Sequence, residues 1–194
     1  QGIAQLAAAL RWQANDSLSC WADRLLETIT ELVHGLQACL YMTEIGLQNQ
    51  MTMVRIGAFA SETEGEIRIP FGQGMIGQVA KTGKPVFYDH QSRLIAKSKT
   101  GIATVQPQSL LLLPLIYNEQ VEGILEISSA APFSPEQLEL LKSMPFSESI
   151  GASLMSIRSQ EEMKRLFMEA QVKSEELQAQ EEEMRQNMEE LQAT

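Results

Sequence analysis

The densest chemical pattern in the chain is Gly72-Gln73-Gly74-Met75-Ile76-Gly77, formally G-x-G-x-x-G. In that spacing, glycines permit a tight turn and a close backbone approach to a pyrophosphate at a helix N-terminus, with a later acidic residue on the ribose. Asp89 could supply the carboxylate. The lengths around the motif oppose this chemistry. A helix after the glycines can run only from about Met75 to Thr82 before Gly83 and Pro85 end it, whereas a parallel crossover needs roughly a dozen residues or more. The glycines are better assigned to a sharp backbone turn beside a sheet.

Other reactive side chains are sparse. The histidines are His34 and His90, the cysteines Cys20 and Cys39, and none has the C-x-x-C or H-x-x-x-H spacing of a metal site. Asp89-His90 could be an acid–base pair at a strand end, but no nucleophile signature accompanies it. Asp89 equally suits a turn that hydrogen-bonds its own backbone. No catalytic or metal-binding set is therefore expected. Arg93, Lys97 and Lys99 place three cations in the connection 91–108 of an otherwise acidic chain. So long a connection suits a lid or binding loop, and its cations suit an anionic or carboxylate ligand or simple solvation. Met42, Met51, Met53 and Met75 lie in or beside strand-like segments, where thioethers fill irregular core space or line an adaptable pocket.

Composition bounds what these residues can serve. The 194 residues are 44% hydrophobic and 21% charged, enough for a buried core. The longest apolar run, Leu110–Tyr117, is far shorter than the roughly 20 residues a membrane helix needs. The net charge is −10; residues 159–194 hold ten acidic and four basic side chains, so −6 lies there and −4 in the rest. Without a Lys/Arg cluster, neither nucleic acid nor a membrane surface is expected as a direct partner. Sparse cysteine usage suits a reducing, cytoplasmic setting. A chain lacking an initiator Met and stopping inside a helical repeat is expected to be a piece of a longer protein.

Three regions position these residues. Residues 1–38 read as helix: Ile3, Leu6 and Leu10 form one stripe, and Leu18, Leu25, Ile29, Leu32 and Leu36 another, with cap chemistry at Asn15-Asp16-Ser17 between them. Strand-like segments follow at Cys39–Ile45, Met51–Ala60, Glu66–Pro70, Pro85–Asp89, Ser109–Tyr117 and Gln120–Ser128. The last two form an antiparallel hairpin about Asn118-Glu119, and Pro114 within it demands a bulge or an edge position. Ser134, Pro135 and Gln137 announce a helix through a capping box, which Pro145 kinks or breaks near Met144. Met163, Ala170, Leu177, Met184 and Leu191 then recur every seven residues as one coiled-coil seam. The companion seam, Leu166, Lys173, Gln180 and Asn187, turns polar, so a weak parallel coiled coil is expected.

Residues 71–86, FGQGMIGQVAKTGKPV, and 108–129, QSLLLLPLIYNEQVEGILEISS, resemble the two signature blocks of GAF domains. The tail, EELQAQEEEMRQNMEELQAT, resembles the signalling linkers that join sensor modules to output domains in bacterial multidomain proteins. The resemblance implies an α+β fold with a central antiparallel sheet of five to six strands. The N- and C-terminal helices would cover one face, a short helix and a loop lid the other, and an extended C-terminal helix would follow. It divides the chain into a connecting helix over 1–16, the GAF domain over 17–158 and a coiled-coil signalling helix over 159–194.

The same resemblance implies a non-catalytic, small-molecule-sensing module of a bacterial signal-transduction protein such as a two-component histidine kinase. It would relay ligand state to an output domain through a homodimer held by Leu18, Leu25, Leu32, Met163, Ala170, Leu177, Met184 and Leu191. The alternative is a ligand-free dimerisation spacer, its face filled by Met42, Met53 and Met75. Expected pocket residues are Met75, Tyr88, Asp89, Arg93, Ser109 and Glu126, the last depending on strand register. No cofactor is specified: residues 71–129 lack the cysteine of bilin-attaching relatives, and only His90 could serve haem. The cysteine set of methionine-sulfoxide reducers and the N-K-F-D-E set of cyclic-nucleotide binders are not found either.

Overall fold

The computed structural model describes residues 2–12, 17–46, 49–61, 65–89, 98–99, 104–105 and 107–192. They fall into two units, Gln1–Met155 and Ser156–Thr194. In the first, six strands form one sheet: β1 (Gln37–Ile45), β2 (Met51–Phe59), β3 (Arg68–Pro70), β4 (Val86–Tyr88), β7 (Ser109–Tyr117) and β8 (Gln120–Ser129). Their order is β3-β2-β1-β8-β7-β4, and every pairing is antiparallel. A two-stranded ladder of β5 (Ser98–Lys99) and β6 (Thr104–Val105) interrupts the stretch read from sequence as a continuous loop. Two-residue strands carry no periodicity that could announce them. The fold is α+β, as the sequence blocks imply.

β7 is buried at seven consecutive positions, Ser109–Leu115. A strand covered on both faces reads as an unbroken apolar run, without the alternation of a half-wet strand. Register separates the two faces. Ala38 and Leu111 pair with Ile127, Leu40 and Leu113 with Leu125, and Met42 and Leu115 with Gly123. Those residues share the face covered by α2 (Leu18–Val33) and by the opening turns of α5 (Met144–Gln192). The helices come close there: a Cβ on Gly57 would lie 2.6 Å from Ala22 Cβ, and one on Gly123 2.5 Å from Leu154 Cδ1. Trp21, Leu25, Leu26 and Ile29 of α2 are wholly buried.

Local chemistry sets the helix ends. Ser17 caps α2 by accepting the Cys20 N–H at 3.2 Å. His34 ends it in the left-handed region, and Gly35 N–H closes onto Thr30 O at 2.8 Å. α1 (Gly2–Ala9) is tied to α2 by Trp21 Nε1, which donates to Leu10 O at 3.3 Å. Ser134 and Gln137 complete a capping box at α4 (Pro135–Lys142). The helix breaks at Ser143, and Pro145 sits in the first turn of α5, where its missing N–H costs nothing.

Pro114 has a similarly specific place. β4 pairs β7 only through Leu110–Leu112, so among the described residues no strand lies beside the outer edge of β7 beyond Leu112. Ser147 of α5 covers that edge instead. Its hydroxyl donates to Pro114 O at 2.8 Å and accepts the Ile116 N–H at 3.0 Å. The register shift falls next door, between Leu115 and Ile116.

The heptad reading of α2 needs correction. Leu25 is wholly buried in the domain's own core, and Leu18 and Leu32 are half-buried, so their seven-residue spacing is largely that of a helix lying on a sheet. In the second unit the same helical period has a different outcome. Met163, Ala170, Leu177, Met184 and Leu191 are all exposed, Met163 at 72% and Leu191 at 77%. Ion pairs within the helix run along it: Arg165 with Glu162 and Glu169, Lys173 with Glu176, and Arg185 with Glu182 and Glu189. Exposed and screened by solvent, each contributes little to stability.

Gly57→Ala forces a methyl group into Ala22 and is expected to destabilise the fold by about 1–3 kcal/mol in urea unfolding. Gly46→Ala, whose new Cβ would have no neighbour nearer than Gln50 O at 3.6 Å, is expected to change stability by less than about 0.5 kcal/mol. Equal effects would contradict the close approach of α2 to the sheet.

Candidate functional site

The opposite face of the sheet lies under α3 (Gly74–Thr82). Gly72 and Gly74 adopt positive φ, Gln73 N–H donates to Pro70 O at 3.0 Å, and Gly72 N–H to Gly77 O at 2.7 Å. A Cβ on Gly77 would meet Pro70 O at 2.5 Å. The glycine motif therefore folds α3 back over β3. The antiparallel sheet and nine-residue helix are not those of a parallel dinucleotide-binding unit.

Beneath α3, Val79 and Ala80 pack with Met53, Leu110, Leu112 and Ile124, with Ile76 and Tyr88 at the margin. A row of register partners crosses this floor: Ala58, Cys39, Glu126, Leu112 and Val86. In the next row Arg55 stands opposite Tyr41, and Tyr41 opposite Ile124. Tyr41 and Glu126 thus meet diagonally across β1 and β8, and the Tyr41 hydroxyl donates to Glu126 Oε2 at 3.0 Å. Further along, Thr43 donates to Val121 O at 2.6 Å. Arg55 directs Nη2 to Gly65 O at 2.8 Å.

Electrostatics follow from this setting. Burial pushes the Glu126 carboxyl above the usual carboxylate range, against the smaller opposing pulls of the Tyr41 hydrogen bond and the Arg55 charge. Burial and then the Glu126 charge hold the Tyr41 phenol protonated. The same two causes, in the same order, raise the Cys39 thiol. A reactive cysteine needs the reverse, a stabilised thiolate.

The structure distributes the expected pocket residues unevenly. Glu126 and Tyr88 share the α3 face, Tyr88 opposite Leu110. Asp89 follows β4 and is half-buried. Met75 is on α3 but 40% exposed, since Ile76, Val79 and Ala80 are the residues turned inward. Ser109 lies on the other face: it pairs with Ser129 and keeps the parity of Leu111, and its buried Oγ has no hydrogen-bond partner among the described residues. Arg93, His90 and Lys97 lie outside the described residues. Of the methionines, Met53 is buried under α3, whereas Met42 belongs to the helix-covered face. Tyr41, Cys39 and Arg55 were not selected from sequence. Their signal is the pairing of β1 with β8, which no single strand's pattern reveals.

The family comparison agrees with this architecture. The GAF domain family model matches residues 18–151, and the chain belongs to that family. The fold is shared with the GAF domain of a phosphoenolpyruvate-protein phosphotransferase from Coxiella burnetii (TM-score 0.62, 16% identity, 82% of this chain and 94% of that one). It is shared also with the corresponding Acinetobacter domain (TM-score 0.60, 14% identity, 81% and 94%). A third similar structure is a type II free methionine-R-sulfoxide reductase from Thermoplasma acidophilum (TM-score 0.54, 16% identity, 78% and 95%). No curated protein sequence matches the chain.

The raised Glu126 pKa has a testable sign. The folded state holds this proton more tightly than the unfolded chain does, so the stability it contributes is complete below the ordinary carboxylate range. That contribution is lost as pH rises through the raised value. Glu126→Gln removes the loss and keeps an acceptor for Tyr41. The stability of Glu126→Gln relative to the parent is expected to grow with pH in urea titrations and then level off. A difference independent of pH would contradict the assignment.

Proposed function

We propose that this chain is a non-catalytic sensing module that binds a small molecule on the α3-covered sheet face and passes its state to an output domain through a helical homodimer. The GAF fold supports a sensory or regulatory role in general. The observation that carries the finer reading is the Tyr41–Glu126 pair set into a largely apolar floor. A half-buried carboxyl on an apolar face costs stability unless something binds it, so its presence at the centre of this face favours a site over a filler. The protonated Cys39 thiol supports binding over nucleophilic chemistry.

The tail supports the relay. Its apolar seam repeats over five heptad positions, all exposed in the single chain, and such a seam is covered when two copies pair. The polar companion positions Lys173, Gln180 and Asn187 keep that pairing weak enough to be biased by a neighbouring domain. A ligand favouring one helical arrangement needs a coupling of about 1–3 kcal/mol. The boundaries proposed are 1–16 for a connecting helix, 17–158 for the sensor and 159–194 for the signalling helix, within a cytoplasmic bacterial kinase-like protein. No described helix is long and apolar enough to cross a membrane. A ligand-free spacer is the competing reading, favoured by Met53 filling part of the face.

Leu177→Lys tests the relay. The position is half exposed and lysine is a good helix former, so the monomer is expected to keep its stability. Sedimentation is expected to show self-association of the parent chain and a shift towards monomer in the variant. An unchanged dimer would place the interface elsewhere.

A further inference from the structure

Ile116 stands against both helix layers at once. Its side chain belongs to the α3 face. A Cβ on Gly83, the left-handed residue that ends α3, would lie 3.8 Å from both Ile116 Cδ1 and Val121 Cγ2, and Val121 is the register partner of Ile116 on β8. Its main chain belongs to α5. The Ile116 N–H donates to Ser147 Oγ at 3.0 Å, and a Cβ on Gly151, one helical turn further on, would meet Ile116 C and O at 3.1 Å. Ser147 Oγ donates in turn to Pro114 O at 2.8 Å. One hydroxyl thus holds the donor and the acceptor that a neighbouring strand would otherwise take.

Between the two helix layers runs a hydrogen-bonded sheet, and at Ile116 its restraint is relaxed twice. β4 pairs β7 only at Leu110, Leu111 and Leu112, and the register with β8 shifts between Leu115 and Ile116. A bulge interrupts the ladder and bends the strand locally. Coupling between sites is carried by packed side chains and hydrogen bonds that link rigid elements. α3 and α5 are such elements, and Ile116 links them where the sheet is freest to yield. Resting on the relay reading above, we infer that Ile116 is the joint through which a displacement of α3 reaches α5, with the Ser147 hydroxyl as the catch that ties the joint to the helix. α3 covers the candidate site, and α5 is one helix from Met144 to Gln192. The joint therefore connects the cover of the site to the helix that carries the tail seam.

Amide hydrogen exchange of the whole chain, followed by NMR and referenced to the slowest amides of β1, tests this. Gly83→Ala presses a methyl group towards Ile116 and Val121, whereas Gly65→Ala puts one on another left-handed glycine with nothing within 4 Å. Gly83→Ala is expected to speed exchange at Ile116 and over residues 147–154 by about fivefold or more, and Gly65→Ala to leave both unchanged. Ser147→Ala is expected to speed the same amides and to cancel any further effect of Gly83→Ala on α5. Ser147→Cys, a weaker donor of similar size, supplies the same comparison if the alanine variant does not fold. A response to Gly83→Ala confined to α3 and β4, or one on α5 undiminished without the Ser147 hydroxyl, would overturn the joint. A response that reaches α5 while sedimentation shows tail self-association unchanged would uphold the joint and count against the relay reading.

Discussion

Burial of the middle strands on both faces is the constraint from which the rest of the fold follows. β7 and its partners β8 and β1 carry too much apolar surface to leave either side wet. One side takes α2 and the start of α5, which approach closely enough to require glycine at 57 and 123. The other takes a short helix that the glycine turn folds back over the sheet. Because α3 spans only nine residues, it reaches part of that face, and the polar pair Tyr41–Glu126 is set into the same side. Position and chemistry of the candidate site are therefore consequences of an asymmetry in cover.

That asymmetry also divides labour between the two faces. The helix-covered side is packed from wholly buried Trp21, Leu25, Leu26, Leu111 and Leu125, and substitutions there act on stability. The α3 side contains the groups whose protonation can respond to a partner. A site tolerates a half-buried acid only where neighbouring packing supplies the stability that the acid removes. The tail is different again: a helix with exposed apolar positions and internal ion pairs, whose partner in this account is a second copy.

Much of the fold was legible in the residues. The run SLLLLPLIY and its hairpin partner named two central strands, and Ser134-Pro135-Glu136-Gln137 named a helix start with both cap bonds in place. The glycine block yielded a turn and short helix because φ signs and close approach admit little else. Site geometry was less accessible. Glu126 could be picked as a candidate, but its face depended on register, and Tyr41, its partner 85 positions away, is invisible to any local pattern. Ser109 failed for the converse reason: one residue of parity sends it to the other face. Leu25 shows that a heptad alone does not separate a helix packed on a sheet from a helix awaiting a second copy.

The central claim is that the α3 face holds a small molecule. Native mass spectrometry of the purified chain, before and after mild denaturation, tests it most directly. The account predicts a non-covalent adduct of small-molecule mass that is lost on denaturation and absent from Glu126→Gln. A chain of bare polypeptide mass that also remains unliganded when exposed to a cell extract would contradict it and leave the spacer reading in its place.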